Sequence, residues 1–126
     1  MEAYAAPADA FSLGGSVMSG VGTRVVFEDD RIKVWELELG PGQKTAVHTH
    51  TMDYMFYVIS GSSLEILDEE DNRIGVFDYK DGDVLPLQMD GDELVVVGDE
   101  SLRVPATHAA RNIGDGFYRE LLVEEK

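Results

Sequence analysis

The chain has 126 residues, which is enough for one domain with a substantial buried core. It contains no cysteine, so disulfides, thiolate catalysis and cysteine-ligated zinc or iron–sulfur centres are excluded. The formal net charge is −15, and a surface this acidic repels nucleic acids and anionic membranes. We therefore expect neither a nucleic-acid partner nor a membrane partner.

The first part of the chain differs in composition from the rest. Residues 1–22 are rich in alanine, glycine and serine and show little hydrophobic periodicity. We predict an N-terminal arm over residues 1–22 and a single folded domain over residues 23–126. The first basic residue is Arg24, and no apolar run is long enough to span a bilayer. No signal peptide is expected, and the cytoplasm is the expected compartment.

Short apolar runs separated by glycine- and aspartate-rich turns follow along the domain, which is typical of a β-sandwich or barrel. No amphipathic helix of ordinary length and no internal repeat are evident. The predicted strands are Thr23–Glu28, Ile32–Leu39, Thr45–His50, Asp53–Ser60, Leu64–Leu67, Arg73–Phe77, Val84–Gln88, Glu93–Val97, Leu102–Val104, His108–Asn112 and Tyr118–Glu124.

This succession of strands predicts an all-β fold, and the favoured arrangement is a jelly roll, that is, a double-stranded β-helix barrel. Inward residues near the mouth of such a barrel can surround a metal ion and a small molecule, whereas deeper residues pack together. The acidic turns raise the alternative of structural calcium. However, neither residues 68–72 nor residues 90–92 follow the EF-hand ligand pattern.

The three histidines are the residues in which we expect chemistry. His48 and His50 are two apart, and side chains two apart on a strand point to the same face. His108 would join them from a distant strand. Imidazole binds iron, nickel and zinc well, so the sequence predicts a divalent metal site (Fe²⁺, Mn²⁺, Ni²⁺ or Zn²⁺) that weakens below about pH 6. The alternative for each residue is a hydrogen-bonded core histidine.

The spacing around the first two histidines resembles the first motif of the cupin superfamily. Gly42, His48, His50 and Gly61 fall in the register of that motif. One position departs, because Tyr54 stands where the family usually has a glutamate ligand. The resemblance implies a cupin metal site with three histidine ligands and no carboxylate.

A second cupin motif resembles the stretch around the third histidine. His108 and Asn112 match its end, whereas the span from Pro105 to His108 is shorter than usual and lacks the glycine. The resemblance covers roughly residues 25–124 and implies a small single-domain cupin. Cupins of this kind often dimerise, so a homodimer is an expectation.

Tyr54 is the predicted catalytic residue, as an acid or as a hydrogen-bond donor that orients the substrate. Its alternative role is that of an ordinary core aromatic. Asp53 could supply the missing carboxylate through a bulge, although strand alternation turns it away from the histidine face. Phe56, Val58 and Ser60 share the parity of Tyr54 and are expected to line or fill the barrel.

Other residues are weaker candidates for contact with a substrate. Lys33, Arg103 and Arg111 could each anchor a substrate carboxylate, and surface ion pairs are their alternative role. Met52 could touch the substrate or fill a gap. Trp35 is expected in the core, where it could form the floor of the pocket.

Two classes of function follow from these residues. The first is a metal-dependent enzyme that acts on a small organic molecule, possible reactions being dioxygenation, isomerisation and lyase chemistry. The second is a non-catalytic barrel that holds a small ligand or a structural metal. Metal-free acid–base catalysis by the same histidines and Tyr54 is a further alternative.

Overall fold

The computed structural model describes residues 22–126, so that residues 1–21 of the predicted N-terminal arm lie outside the described part. The described residues form eleven β-strands. These are β1 (Arg24–Glu28), β2 (Ile32–Leu39), β3 (His48–Thr49), β4 (Tyr54–Ser60), β5 (Ser63–Leu67), β6 (Arg73–Asp78), β7 (Val84–Asp90), β8 (Glu93–Val96), β9 (Asp99–Pro105), β10 (Thr107–Asn112) and β11 (Tyr118–Glu125). Residues 22–126 offer no helix that is long and apolar enough to cross a membrane. The all-β prediction is confirmed.

The strands form two antiparallel sheets. The larger sheet has seven strands in the order β1-β2-β11-β4-β7-β8-β9, and the smaller has four in the order β3-β10-β5-β6. Buried apolar side chains from both sheets form one core, to which β4 contributes Phe56 and β5 contributes Leu64. The β4 sequence explains its position, because Tyr54, Phe56 and Val58 are buried while the intervening side chains are exposed.

Two local predictions are wrong. The predicted strand Thr45–His50 is only the two-residue β3, with an isolated bridge at Lys44. Ser60 does not line the barrel, because the register between β4 and β11 shifts by one residue after Val58. The extra residue there breaks the alternation, and the Ser60 hydroxyl donates to the Phe117 carbonyl at 2.8 Å.

Gly61 fixes the connection after β4. A Cβ atom at this position would overlap the carbonyl oxygen of Tyr79, in the segment that joins β6 to β7. Backbone approaches this close require a residue without a side chain. The two connections are also tied by a hydrogen bond of 3.0 Å from Tyr79 N to Ser62 O. Gly61 thus lets two chain reversals pack against each other at one end of the barrel.

Candidate metal centre

The smaller sheet brings the three histidines close together. His48 on β3 and His108 on β10 are direct cross-strand partners. His50 follows β3, where its backbone N–H donates to Ala106 O at 2.9 Å. The three ring centroids lie 4.8 to 5.0 Å apart, and one ring nitrogen from each residue lies within 4.8 Å of the others. The predicted convergence of the three histidines is therefore confirmed.

Backbone carbonyls set the tautomer of two of these rings. His48 Nδ1 lies 2.9 Å from Ala46 O, and His108 Nδ1 lies 2.6 Å from Pro105 O. A carbonyl oxygen only accepts, so both Nδ1 atoms carry the proton and both Nε2 atoms keep a free lone pair. This is the arrangement in which backbone carbonyls orient metal-binding histidines.

His50 differs from the other two histidines. Its Nδ1 atom is buried and has no hydrogen-bond partner among the described residues. A buried imidazole that lacks a partner loses its hydration without compensation, and coordination of an ion would offset that loss. The three ring nitrogens lie within 4.8 Å of one another, so His48, His50 and His108 would hold one ion between them. The donor set fits a divalent metal ion.

Burial keeps all three imidazoles neutral. Desolvation, together with smaller contributions from the neighbouring His108 and His48, lowers the pKa of His50 to about 2. Desolvation also lowers the pKa of His108 to about 4, with a smaller contribution from His48. The pKa of His48 is lowered by burial as well. Neutral imidazole is the form that binds metal.

Tyr54 packs directly on this cluster. Its ring stacks on that of His50, with centroids 4.3 Å apart and an angle of 15° between the planes. Burial raises the pKa of the Tyr54 phenol well above its usual range, and Glu120 raises it further. The phenol is therefore protonated and available as a donor at any physiological pH.

A cavity of about 90 Å³ extends from the histidines into the barrel. It is smaller than the roughly 300 to 1,000 Å³ of pockets that bind drug-sized ligands. Most of its lining is aliphatic or aromatic. The polar members are Thr45, His48, His50, Tyr54, Tyr79, His108 and Glu120.

Glu120 on β11 is the acidic group of this cavity. Its carboxyl group is buried, and burial raises the pKa of Glu120 to about 7. The Tyr118 hydroxyl donates to Glu120 Oε1 at 2.6 Å and partly opposes that rise. The cavity thus holds histidines at one part of its wall and a carboxyl group at another.

Comparisons with known proteins find similarity in structure alone. No protein-family model matches the sequence, and no curated protein matches it. A cupin domain protein of Bordetella pertussis superposes with a TM-score of 0.59 at 21% identity, covering 82% of this chain and 90% of that one. The chain has the cupin fold.

Two further solved structures agree. A cupin family protein with a double-stranded β-helix fold from Methanocaldococcus jannaschii has a TM-score of 0.52 at 13% identity, over 80% of this chain and 75% of that one. A conserved protein with a double-stranded β-helix domain from Klebsiella pneumoniae has a TM-score of 0.52 at 22% identity, over 80% and 72%. The predicted cupin jelly roll is confirmed.

Asn112, the last residue of the second cupin motif, has a structural position. Its side-chain nitrogen donates to Leu39 O and Gly116 O, both at 2.8 Å. Its side-chain oxygen accepts from Ser62 Oγ at 2.8 Å and from Gly114 N at 3.0 Å. These four bonds hold β2, β10 and the adjacent turns together at the end of the cupin barrel.

The weaker basic candidates do not reach the cavity. Arg103 pairs with Asp90 and Glu93, and Arg111 pairs with Glu65. The remaining candidate, Lys33, lies over the ring of Trp35. These basic side chains take the alternative role of surface interactions.

The other weaker candidates also stay outside the cupin cavity. Met52 is exposed. Trp35 is in the core but does not line the cavity, and its indole N–H donates to Glu124 Oε1 at 3.4 Å. Asp53 accepts a hydrogen bond from Met89 N at 2.8 Å and does not join the histidines.

Sequence reasoning missed Glu120 and Tyr118. Both lie in the predicted strand Tyr118–Glu124 with no role predicted for them, yet they share the parity of Leu122, which is buried. A glutamate on the apolar face of an alternating strand is the signal that could have identified the site.

Proposed function

We propose that this chain is a metal-dependent enzyme that acts on a small organic molecule in the barrel cavity. His48, His50 and His108 would hold the ion, with Fe²⁺, Mn²⁺, Ni²⁺ and Zn²⁺ as candidates. The observation that supports the proposal is the approach of three ring nitrogens to within 4.8 Å at the wall of a cavity. Hydrogen bonds to carbonyls orient two of the three rings for such a role.

Three neutral ligands leave the full charge of a divalent ion uncompensated. When bound, such an ion would supply Lewis acidity toward an oxygen-bearing substrate or a binding position for dioxygen. Dioxygenation, isomerisation and lyase reactions all suit this chemistry. The protein contributes largely apolar walls, which exclude water and strengthen electrostatic interactions inside the cavity.

Tyr54 is a proton-bearing group in direct contact with the histidines, since its ring stacks on that of His50. Because burial raises the pKa of its phenol, Tyr54 keeps the proton on Oη and can donate a hydrogen bond to a substrate oxygen. The stack on His50 holds the aromatic ring in one plane and so fixes the direction of the hydroxyl. We assign Tyr54 the role of orienting and polarising the substrate.

Metal content per chain, measured by elemental mass spectrometry on tag-free protein, tests this proposal. Near-stoichiometric iron, manganese, nickel or zinc is expected, and His48→Ala should lose it while remaining folded. Thr49→Ala is the matched control, because Thr49 lies between the two histidines but is exposed. Absence of metal in the wild type, together with no uptake on reconstitution, would overturn the proposal. Stoichiometric metal without turnover in any substrate screen would favour the non-catalytic binding protein.

A further inference from the structure

Glu120 is a buried carboxyl group that has no cationic partner within residues 22–126. It is 4% exposed, it lines the cavity, and Tyr118 is its one hydrogen-bond donor among residues 22–126. Its chain neighbour Arg119 pairs instead with Glu36, at 2.6 Å. A buried carboxylate with a single neutral donor is costly, and an apolar side chain would fill the same space at lower cost. The position therefore requires an explanation beyond packing.

Aromatic rings line the same cavity as Glu120. They are those of Tyr54, Phe56, Phe77 and Tyr79. Tyr79 contacts Phe56 edge-on at 5.5 Å and the ring of Tyr118 at 6.1 Å, measured between centroids. The faces of aromatic rings attract cations, and this attraction is stronger in a desolvated site. A carboxylate set among aromatic rings is the combination that recognises an organic ammonium ion.

We propose that the cavity binds a small organic ammonium ion, with the charged end held by Glu120 and the other end facing the histidines. This inference deepens the proposed function, since the amine would be the substrate of the same site. The cavity of about 90 Å³ restricts the ligand to a few heavy atoms. The apolar part of the lining, such as Leu87 and Leu94, would contact its carbon chain.

Titration of the protein with n-propylammonium chloride, compared with n-propanol at matched ionic strength, tests this proposal. Isothermal calorimetry and the melting temperature are the readouts, on metal-free and on zinc-treated protein. We expect propylammonium to bind and to raise the melting temperature in proportion to the logarithm of its concentration, whereas n-propanol has at most a tenth of its affinity. Equal binding of the two compounds, or binding of neither, would overturn the inference.

Glu120→Gln isolates the carboxylate, because it keeps the shape of the side chain and removes the charge. Loss of a charge-assisted hydrogen bond should weaken propylammonium binding roughly 10- to 100-fold. Glu125→Gln is the matched control, with the same charge change on the same strand but at an exposed position, and its affinity should equal that of the wild type. If Glu120→Gln binds as tightly as the wild type, Glu120 is not the anchor and the inference is wrong.

Measurements on the metal-free and on the zinc-treated protein distinguish a failure of this inference from a failure of the proposed function. Amine binding in a protein that takes up no metal would support the inference while the proposed function fails. Stoichiometric metal without amine-specific binding would leave the proposed function intact and overturn the inference. If Glu120→Gln does not fold, the comparison of propylammonium with n-propanol in the wild type still tests whether the cavity prefers an ammonium ion.

Discussion

His48 and His108 stand directly opposite each other in the ladder between β3 and β10, with ring centroids 4.8 Å apart. An ion bound between them would cross-link two strands, one of which has only two residues. Ligands that bind the folded state alone stabilise it by mass action. Metal binding should therefore stabilise the whole barrel.

We predict that Zn²⁺ at 100 times its dissociation constant stabilises the wild type by about 2.7 kcal/mol. For a domain of this size, that corresponds to a melting-temperature increase of about 10 °C. The effect should disappear in His108→Ala and on chelation, and differential scanning calorimetry is the measurement. An equal increase in His108→Ala would place the stabilising ion elsewhere.

The histidines predict acid sensitivity of the metal-free protein. The pKa of His50 is lowered to about 2 and that of His108 to about 4 in the folded state. Below the ordinary histidine pKa of about 6.5, the unfolded chain binds protons on these residues, whereas the folded state does not. The contribution of these two histidines to stability is therefore fully present above about pH 7 and falls toward pH 4, by about 1.4 kcal/mol per pH unit for each of them.

Urea unfolding midpoints between pH 7.5 and 4.5 measure this slope. His108→Gln should flatten it by the share of one histidine, whereas Thr49→Ala should leave it unchanged. Equal slopes in the wild type and in His108→Gln would contradict the burial of a neutral imidazole at this position.

Glu120 predicts the opposite dependence on pH. Its folded pKa of about 7 lies above the ordinary value of 4.5, so the folded state binds the extra proton. Its contribution to stability is fully present below about pH 4.5 and is lost as the pH rises through 7. Glu120→Gln should match the wild type near pH 4.5 and exceed it by up to about 3 kcal/mol at pH 8.5. A difference in unfolding free energy that stays constant with pH would refute this prediction, and Glu125→Gln is the control.

Because Tyr54 stacks on His50, variants of Tyr54 can distinguish the role of its ring from that of its hydroxyl. His50 has no hydrogen bond at Nδ1, and the Tyr54 ring stacks on it at 4.3 Å, closer than the neighbouring histidine rings, so we expect the stack to orient it. The zinc affinity of Tyr54→Phe should lie within about threefold of the wild-type affinity. That of Tyr54→Leu should be about 10-fold lower or more, as is typical when a contact that orients a metal-binding residue is removed. Competition with a chromophoric chelator measures both affinities. Equal affinity in the two variants would show that the stack does not orient His50.

Gly61 predicts a clear contrast with Gly75. Gly61→Ala would push a methyl group into the Tyr79 carbonyl, whereas Gly75→Ala would meet only the Phe77 ring, at an ordinary 3.5 Å. We expect Gly61→Ala to lower the free energy of unfolding by about 2 kcal/mol or more and Gly75→Ala to change it little. Urea unfolding of both variants makes the comparison. A harmless Gly61→Ala would mean that the two connections can separate freely.

The barrel was predictable because its strands alternate and its turns are marked. β2 has the predicted bounds Ile32–Leu39, and Tyr54, Phe56 and Val58 are buried as their parity requires. The convergence of the histidines was also predictable, because their spacing matches a known motif. Local periodicity and motif spacing are properties of the sequence itself, so both can be recognised before the tertiary structure is known.

The features that could not be predicted from the sequence depend on pairing between distant strands. The bulge that turns Ser60 outward arises only from the register of β4 on β11. Glu120 reaches the cavity because β11 lies between β2 and β4, an arrangement that the local sequence does not reveal. A strand assignment alone does not tell which face is enclosed, and so the second polar group of the site escaped prediction.

Trp35 is the chain's single tryptophan, and its place beside Glu124 and Lys33, away from the cavity, has a practical consequence. Its emission reports the packing of β2 in the seven-stranded sheet, from a side chain that does not line the cavity. Fluorescence can therefore follow the unfolding of the barrel. The chain thus carries its own optical reporter of folding, at a position apart from the tyrosines that line the cavity.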